Sequence, residues 1–285
     1  MPRKIDDQCP EAGPQLAIGL NIYCLEDLPN WSVGPRDERP ESLRRIAAAG
    51  FAGMQSFTAA PALAAGLRAF GFGRVDRAND ATEIAARHRA EGFECTTLHV
   101  GTGFESDDEA LRLIDAILEA SARTGHPLYV ETHRATVTQD MRRTLDLIER
   151  RPEIRLNLDF CHYYTGSEMT YGDLDWKLSQ LQPVFARTRF IHGRISDPGN
   201  AQISMLDARC AAHRAVFERV WGNVFSHFRS TAEADDTLIF CPEILAPKHF
   251  YGATDGHGQE LTDRWLEAIE TANIARRAWA SPACE

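Results

Sequence analysis

Seven short runs rich in aliphatic and β-branched residues recur along this chain, each separated from the next by a longer stretch with helical spacing. They are "LAIGLNIYC" (16–24), "FAGMQSF" (51–57), "FECTTLHV" (93–100), "LYVETH" (128–133), "IRLNLDF" (154–160), "RFIHGRI" (189–195) and "TLIFCPEI" (237–244). Near-continuous apolar runs of four to eight residues are what strands buried on both faces require. Strand–helix–strand repetition over the whole length then points to a parallel sheet.

The intervening segments carry helix punctuation. In "SDDEALRLIDAILEASARTG", Leu111, Ile114, Leu118 and Ser121 share a face, Ser106 and Glu109 form a capping box, and Gly125 closes the helix. In "TQDMRRTLDLIERRP", Thr138 is the expected N-cap, Met141, Leu145 and Ile148 share a face, and Pro152 marks the stop. A last helix is expected near 258–279, with Leu261, Trp265 and Ile269 stacked on one side.

An open doubly wound sheet would show a glycine-rich phosphate turn after its first strand, and "GLNIYCLEDLPNW" has none. The expected fold is therefore α/β, a single-domain (β/α)8 TIM barrel over 15–280 behind a polar tail at 1–14. Its eighth strand is irregular, and is expected in 66–76 or inside 104–126. No linker, repeat or low-complexity segment divides the 285 residues.

A formal charge of −10 argues against a nucleic-acid surface. The 7 cysteines have no CxxC spacing, which fits a reducing compartment better than a disulfide framework or thiolate zinc site. No apolar run is long enough to span a membrane, and "MPRKIDDQCPEAGP" lacks the apolar centre of a secretory signal. A cytoplasmic protein is expected, with homo-oligomerisation left open.

The later strands end in polar residues. "YVETHR" offers Glu131 and His133, "LDFCH" offers Asp159 and His162, "FIHGR" offers His192 and Arg194, and "FCPEI" offers Glu243. In a barrel these strand ends converge on the face that carries active sites. Taken singly, each acid reads as a helix cap or solvated loop residue, each histidine as a satisfied core side chain, and Arg194 as a partner for a nearby acid. Taken together, Glu131, Asp159, His192 and Glu243 are three carboxylates and an imidazole, a donor set suited to one divalent ion: Mn²⁺, Mg²⁺ or Co²⁺, or else Zn²⁺. Without a cation, such carboxylates would repel one another. His99 in "TLHVGTG" is a further pocket candidate, and Tyr23 and Trp31 would form an apolar wall. His133 has no assigned role.

The ordered set Glu, Asp-x-x-His, His-x-Arg, Glu resembles the xylose isomerase-like TIM-barrel superfamily, most clearly over 127–247 and in its sugar phosphate isomerase/epimerase type. The resemblance implies that Glu131, Asp159, His192 and Glu243 hold the metal. It further implies that Glu131 and Glu243 exchange the substrate proton, and that His162 and Arg194 contact a small polyhydroxy carbonyl substrate, with His99 a further substrate-binding candidate from its strand end. A cyclitol or keto-acid dehydratase would use the same pocket, and a non-catalytic metal- and sugar-binding barrel is the alternative of another class. Endonuclease IV, in the same superfamily, needs a downstream Asp-x-His. Here "MLDARCAAH" sets Arg209 two residues after Asp207, so a three-metal phosphodiesterase site is not expected.

Overall fold

A computed structural model describes residues 4–5, 13–36 and 39–281. Eight parallel strands close into one barrel in sequence order. They are β1 (Gln15–Asn21), β2 (Gly53–Gln55), β3 (Arg68–Val75), β4 (Cys95–Val100), β5 (Leu128–Glu131), β6 (Leu156–Leu158), β7 (Thr188–Gly193) and β8 (Thr237–Pro242). Closure is made by β1 against β8, with Gln15 opposite Thr237 and Ile18 opposite Phe240. The eighth strand is β3, within the first of the two expected stretches, while 107–124 is helical. Its alternation is masked in sequence because Gly71 and Gly73 interrupt the apolar run. Gly71 is required there: a Cβ would lie 2.6 Å from Nδ1 of His88.

Strand alternation sorts side chains into an outward set, which packs on helices, and an inward set, which fills the barrel. Ala17, Phe70, Cys95, Phe190, Ile239 and Cys241 form the inner apolar cluster, with Tyr129 packed against it. Phe70 is accommodated because its neighbours are small: a Cβ on Gly53 would come within 2.6 Å of its ring, and one on Gly19 within 3.0 Å. Above this cluster the inward positions turn polar. Asn21 donates to Oε1 of Gln55 at 2.8 Å, and Gln55 donates to Oγ1 of Thr97 at 2.9 Å. Outside the barrel, His88 and His126 both bind the Thr96 hydroxyl at 2.8 Å. Burial lowers each imidazole to a pKa of about 4.

Helix ends follow local chemistry, with two corrections. The helix Asp107–Thr124 has the Ser106–Glu109 capping box and ends at left-handed Gly125, as its sequence requires. Thr138, however, does not cap the next helix. Its hydroxyl donates to the Glu131 carbonyl at 2.6 Å, and Asp140 caps Met141–Arg150 instead by accepting from the Arg143 amide at 2.8 Å. The last helix is Arg264–Ala280, capped by Asp263. Its expected first turn is held extended by an antiparallel bridge between Thr254 and Glu260, which leaves Leu261 58% exposed. Most of the proposed tail at 1–14 lies outside the described residues, but Ile5 is buried and its amide bonds to the Ala49 carbonyl at 2.7 Å. Cys24, Cys95, Cys161, Cys210 and Cys241 are free. Among the described residues, no helix is long and apolar enough to cross a membrane.

Candidate metal and substrate site

Glu131 is the last residue of β5, and its two oxygens face different neighbours. Oε1 lies 3.2 Å from Nε2 of His99, whereas Oε2 accepts from Asn157 at 2.9 Å and lies 3.4 Å from Nδ1 of His192. Asp159 follows β6 and is also the N-cap of Phe160–Gly166, accepting from the Cys161 amide at 3.2 Å. The cap reading therefore describes this residue, whose second oxygen faces the other strand ends. Its Oδ2 pairs with the Arg194 guanidinium and lies 3.3 Å from Nε2 of His162. Glu243, just past β8, accepts from Asn21 at 3.0 Å, and its Oε2 stands 3.5 Å from Nδ1 of His192 and 3.4 Å from Arg194.

One ligand atom each from Glu131, Asp159 and His192 lies within 4.8 Å of the others, and all three residues are buried. Glu243 joins them through His192. The donor set is rich in oxygen and charge, as a divalent ion requires. Among the described residues, several buried atoms around it have no hydrogen-bond partner: Oδ1 of Asn157, Nδ1 of His162, and Nε and Nη1 of Arg194. Buried polar groups are otherwise almost always satisfied, so this is a place built to be completed by something bound. The residues fit a divalent ion.

Electrostatics at the site are mutually compensating. Burial would raise the carboxyl of Asp159, but Arg194 and His162 outweigh it and hold the group ionised. Burial would likewise raise Glu131, yet His192 and His99 keep it well below the ordinary range. His192 would be lowered by burial, and Glu243 and Glu131 instead lift it to about 9. Thus the repulsion expected between the carboxylates is partly relieved by cationic neighbours from the same strand ends.

His99, His133 and His162 form a contiguous column, with ring centroids 4.2 Å and then 3.9 Å apart. Burial, and next the neighbouring His162, press His133 down to about 3. The structure therefore brings every candidate side chain from β4 to β8 into one place. Asp207 is elsewhere in role: it pairs with Arg209 at 2.6 Å on the exposed surface.

On the β1–β3 side the mouth is aromatic. Tyr23 contacts Phe57 and Phe72, each at 5.9 Å between centroids, and Phe57 meets Phe72 edge-on at 4.7 Å. Trp31, expected in this wall, is 52% exposed, and the third ring against Tyr23 is His249. Sequence reading missed Phe57, Phe72, Asn21, Gln55, Asn157 and Tyr251. Asn21, Gln55 and Asn157 carry one signal, a polar residue inside an apolar run, but nothing in the sequence says which partner it serves, and Phe57 and Phe72 read there like core aromatics. Tyr251, whose ring lies 4.7 Å from the Arg194 guanidinium, comes from a loop without periodicity.

No family model and no curated protein matches the sequence. Solved structures do. The probable 3-DHS dehydratase AsbF from Bacillus anthracis aligns at 13% identity over 92% of this chain and 99% of its own, with a TM-score of 0.58. A xylose isomerase-like TIM barrel protein from Mycobacterium smegmatis, solved with magnesium, aligns at 12% identity over 94% and 98%, with a TM-score of 0.57. A D-tagatose 3-epimerase-like protein aligns at 9% identity over 92% and 97%, with a TM-score of 0.58. What the likeness shows is the fold, a closed eight-stranded (β/α)8 TIM barrel similar to that of these proteins.

Proposed function

We propose that the chain is a divalent-metal-dependent isomerase or epimerase of a sugar, sugar phosphate or related polyhydroxy carbonyl compound. The observation that supports this reading is the convergence of Glu131 and Glu243 on His192, 3.4 Å and 3.5 Å from the same ring nitrogen. Two carboxylates so close can serve one reacting carbon as base and acid. An ion held by Glu131, Asp159, His192 and Glu243 would supply Lewis acidity toward a substrate carbonyl oxygen.

The chain's own residues do the rest. Glu131 or Glu243 takes the proton beside the carbonyl, and the other returns it. His162, with Nδ1 unpartnered, and Arg194, with Nε and Nη1 unpartnered, bind substrate oxygens, and His99 at the half-open rim binds another. The buried amides of Gln55 and Asn157 keep His192 and Glu131 in register. The test is to incubate the purified, Mn²⁺-supplemented protein with ketoses, aldoses and their phosphates in D2O. Deuterium entering carbon without loss of water supports the proposal. An unsaturated product would make the chain a dehydratase, and metal-dependent binding without exchange would make it a binding barrel.

A further inference from the structure

At the end of the barrel opposite the candidate metal site, where the strands begin, a cleft of about 450 Å³ opens. It is lined by Tyr129 of β5, Arg155 just before β6, Arg189 of β7, and the apolar side chains of Ile117, Leu118 and Phe228 from the surrounding helices. β7 carries one residue more than β6 along this stretch. Leu156 lies opposite Thr188 and Asn157 opposite Phe190, so Arg189 is the extra residue of a bulge. A bulge re-aims the side chain at its extra position. Here that side chain is a guanidinium whose Cζ lies 5.3 Å from the Phe228 ring centre.

Both lining guanidiniums are anchored on one side and free on the other. Nη1 of Arg189 donates to the carbonyls of Ala186 and Thr188, at 3.1 and 2.8 Å. Nη1 of Arg155 donates to those of Pro152, Glu153 and Ile154, at 3.3, 3.0 and 3.1 Å. Among the described residues, Nε and Nη2 of both have no protein partner, and neither side chain is in an ion pair. Burial, and next the nearby Arg155 charge, lower the pKa of Arg189 and of Arg187 behind it. Three uncompensated guanidiniums stand together in a chain whose formal charge is −10. The acids that line the cleft are otherwise placed: Asp236 accepts from the Glu233 amide at 2.9 Å, and Glu153 is exposed. Tyr129 packs against the inner apolar cluster, yet among the described residues its hydroxyl has no hydrogen-bond partner. A tyrosine hydroxyl so placed usually finds one. Burial raises its pKa, so it remains a neutral donor.

We propose that this cleft binds a phosphate group, with Arg155 and Arg189 donating to its oxygens, Tyr129 donating a further hydrogen bond, and Ile117, Leu118 and Phe228 covering the organic body of a phosphate monoester. Two guanidinium forks bring more N–H donors to one place than a flat carboxylate accepts in its plane, whereas a tetrahedral dianion offers acceptors in several directions. The site is independent of the metal-site reading, because the residues that form it lie at the opposite ends of the strands.

The test is calorimetric titration of the full chain, at constant ionic strength, with phenyl phosphate, inorganic phosphate and benzoate, in Mn²⁺ and again in EDTA. Phenyl phosphate should bind under both conditions. Arg189→Gln should weaken it at least about tenfold and Tyr129→Phe about threefold or more, with Mn²⁺ binding unchanged. Arg155→Gln, at an exposed position, makes the same test should Arg189→Gln fail to fold. Phenyl phosphate binding at least about fivefold tighter than inorganic phosphate assigns the site to a monoester, and equal binding assigns it to free phosphate. No binding of either phosphate at tens of millimolar, benzoate binding as tightly as phenyl phosphate, or affinities unaltered in both arginine variants would overturn the proposal. Binding that survives both variants and vanishes in EDTA belongs to an ion at the mouth and overturns it likewise.

Discussion

The β1–β3 side of the barrel mouth and the β4–β8 side are both made by residues at or just past the strand ends, yet they are held together in opposite ways. On the β4–β8 side every group leans on another through charge. Glu131 is shared between His99 and His192, and Asp159 is clasped by Arg194 and His162. On the β1–β3 side three rings touch, two pairs edge to face and one stacked, and leave one of their number in solvent. Removing a member from the first half strands a buried charge, whereas removing one from the second only opens space. One scaffold therefore carries a stiff, interdependent half and a tolerant half, and the tolerant half is where specificity is cheapest to change.

Substitutions test that contrast in order of size. Glu243→Gln should lower solvent deuterium exchange at substrate carbon by about 10²–10⁴-fold, and a loss under tenfold would remove the ionisable half from the chemistry. Arg194→Met leaves Asp159 buried without its partner and should cost about 3–5 kcal/mol of unfolding free energy, read from urea denaturation. If it costs no more than a surface change, the claim of interdependence is broken. Gln55→Leu frees His192 from its 2.9 Å hydrogen bond and should weaken Mn²⁺ binding by about 10–100-fold, followed by electron paramagnetic resonance.

Acid and base separate the mouth from the barrel wall. For His88 and His126, near 4 when folded against about 6.5 unfolded, stability is fully present above 6.5 and is lost as pH falls toward 4, because only the unfolded chain takes up the protons. His192 has the opposite sign: raised to about 9, it contributes stability fully present below about 6.5 and lost as pH rises through 9. Urea midpoints measured against pH in EDTA should therefore fall on both sides. His126→Asn should flatten the acid limb alone. The smallest effect is expected at the open ring: Phe57→Ala should change stability by less than about 0.5 kcal/mol, against about 3–5 kcal/mol for Phe70→Ala in the barrel interior.

The barrel was legible because seven of its strands lie in largely apolar runs, as parallel strands buried on both faces do. β3 was harder, since Gly71 and Gly73 replace the side chains that would have marked it, for a reason that lies in His88 and the packed helix rather than in the strand. The polar strand ends were legible as a set, because Glu131, Asp159, His192 and Glu243 each follow an aliphatic run. Their supporting amides were not. Asn157 sits inside "RLNLDF" and Gln55 inside "FAGMQSF", where a single polar residue carries no address until the barrel closes. Thr138 was misplaced as a cap because its hydroxyl is claimed by a carbonyl on another segment, a tertiary fact with no local trace.

Closure of the barrel through β1 and β8 has a consequence for the order in which the molecule is made. β1 emerges first during synthesis but finds its second neighbour only when β8 appears, and until then it presents an unpaired edge. The loop beyond β1 waits longer still: Arg264, at the start of the final helix, donates to the carbonyls of Tyr23, Cys24 and Glu26. The aromatic half of the mouth is thus translated first and secured last, and a nascent chain lacking its final helix should be the form most exposed to chaperones.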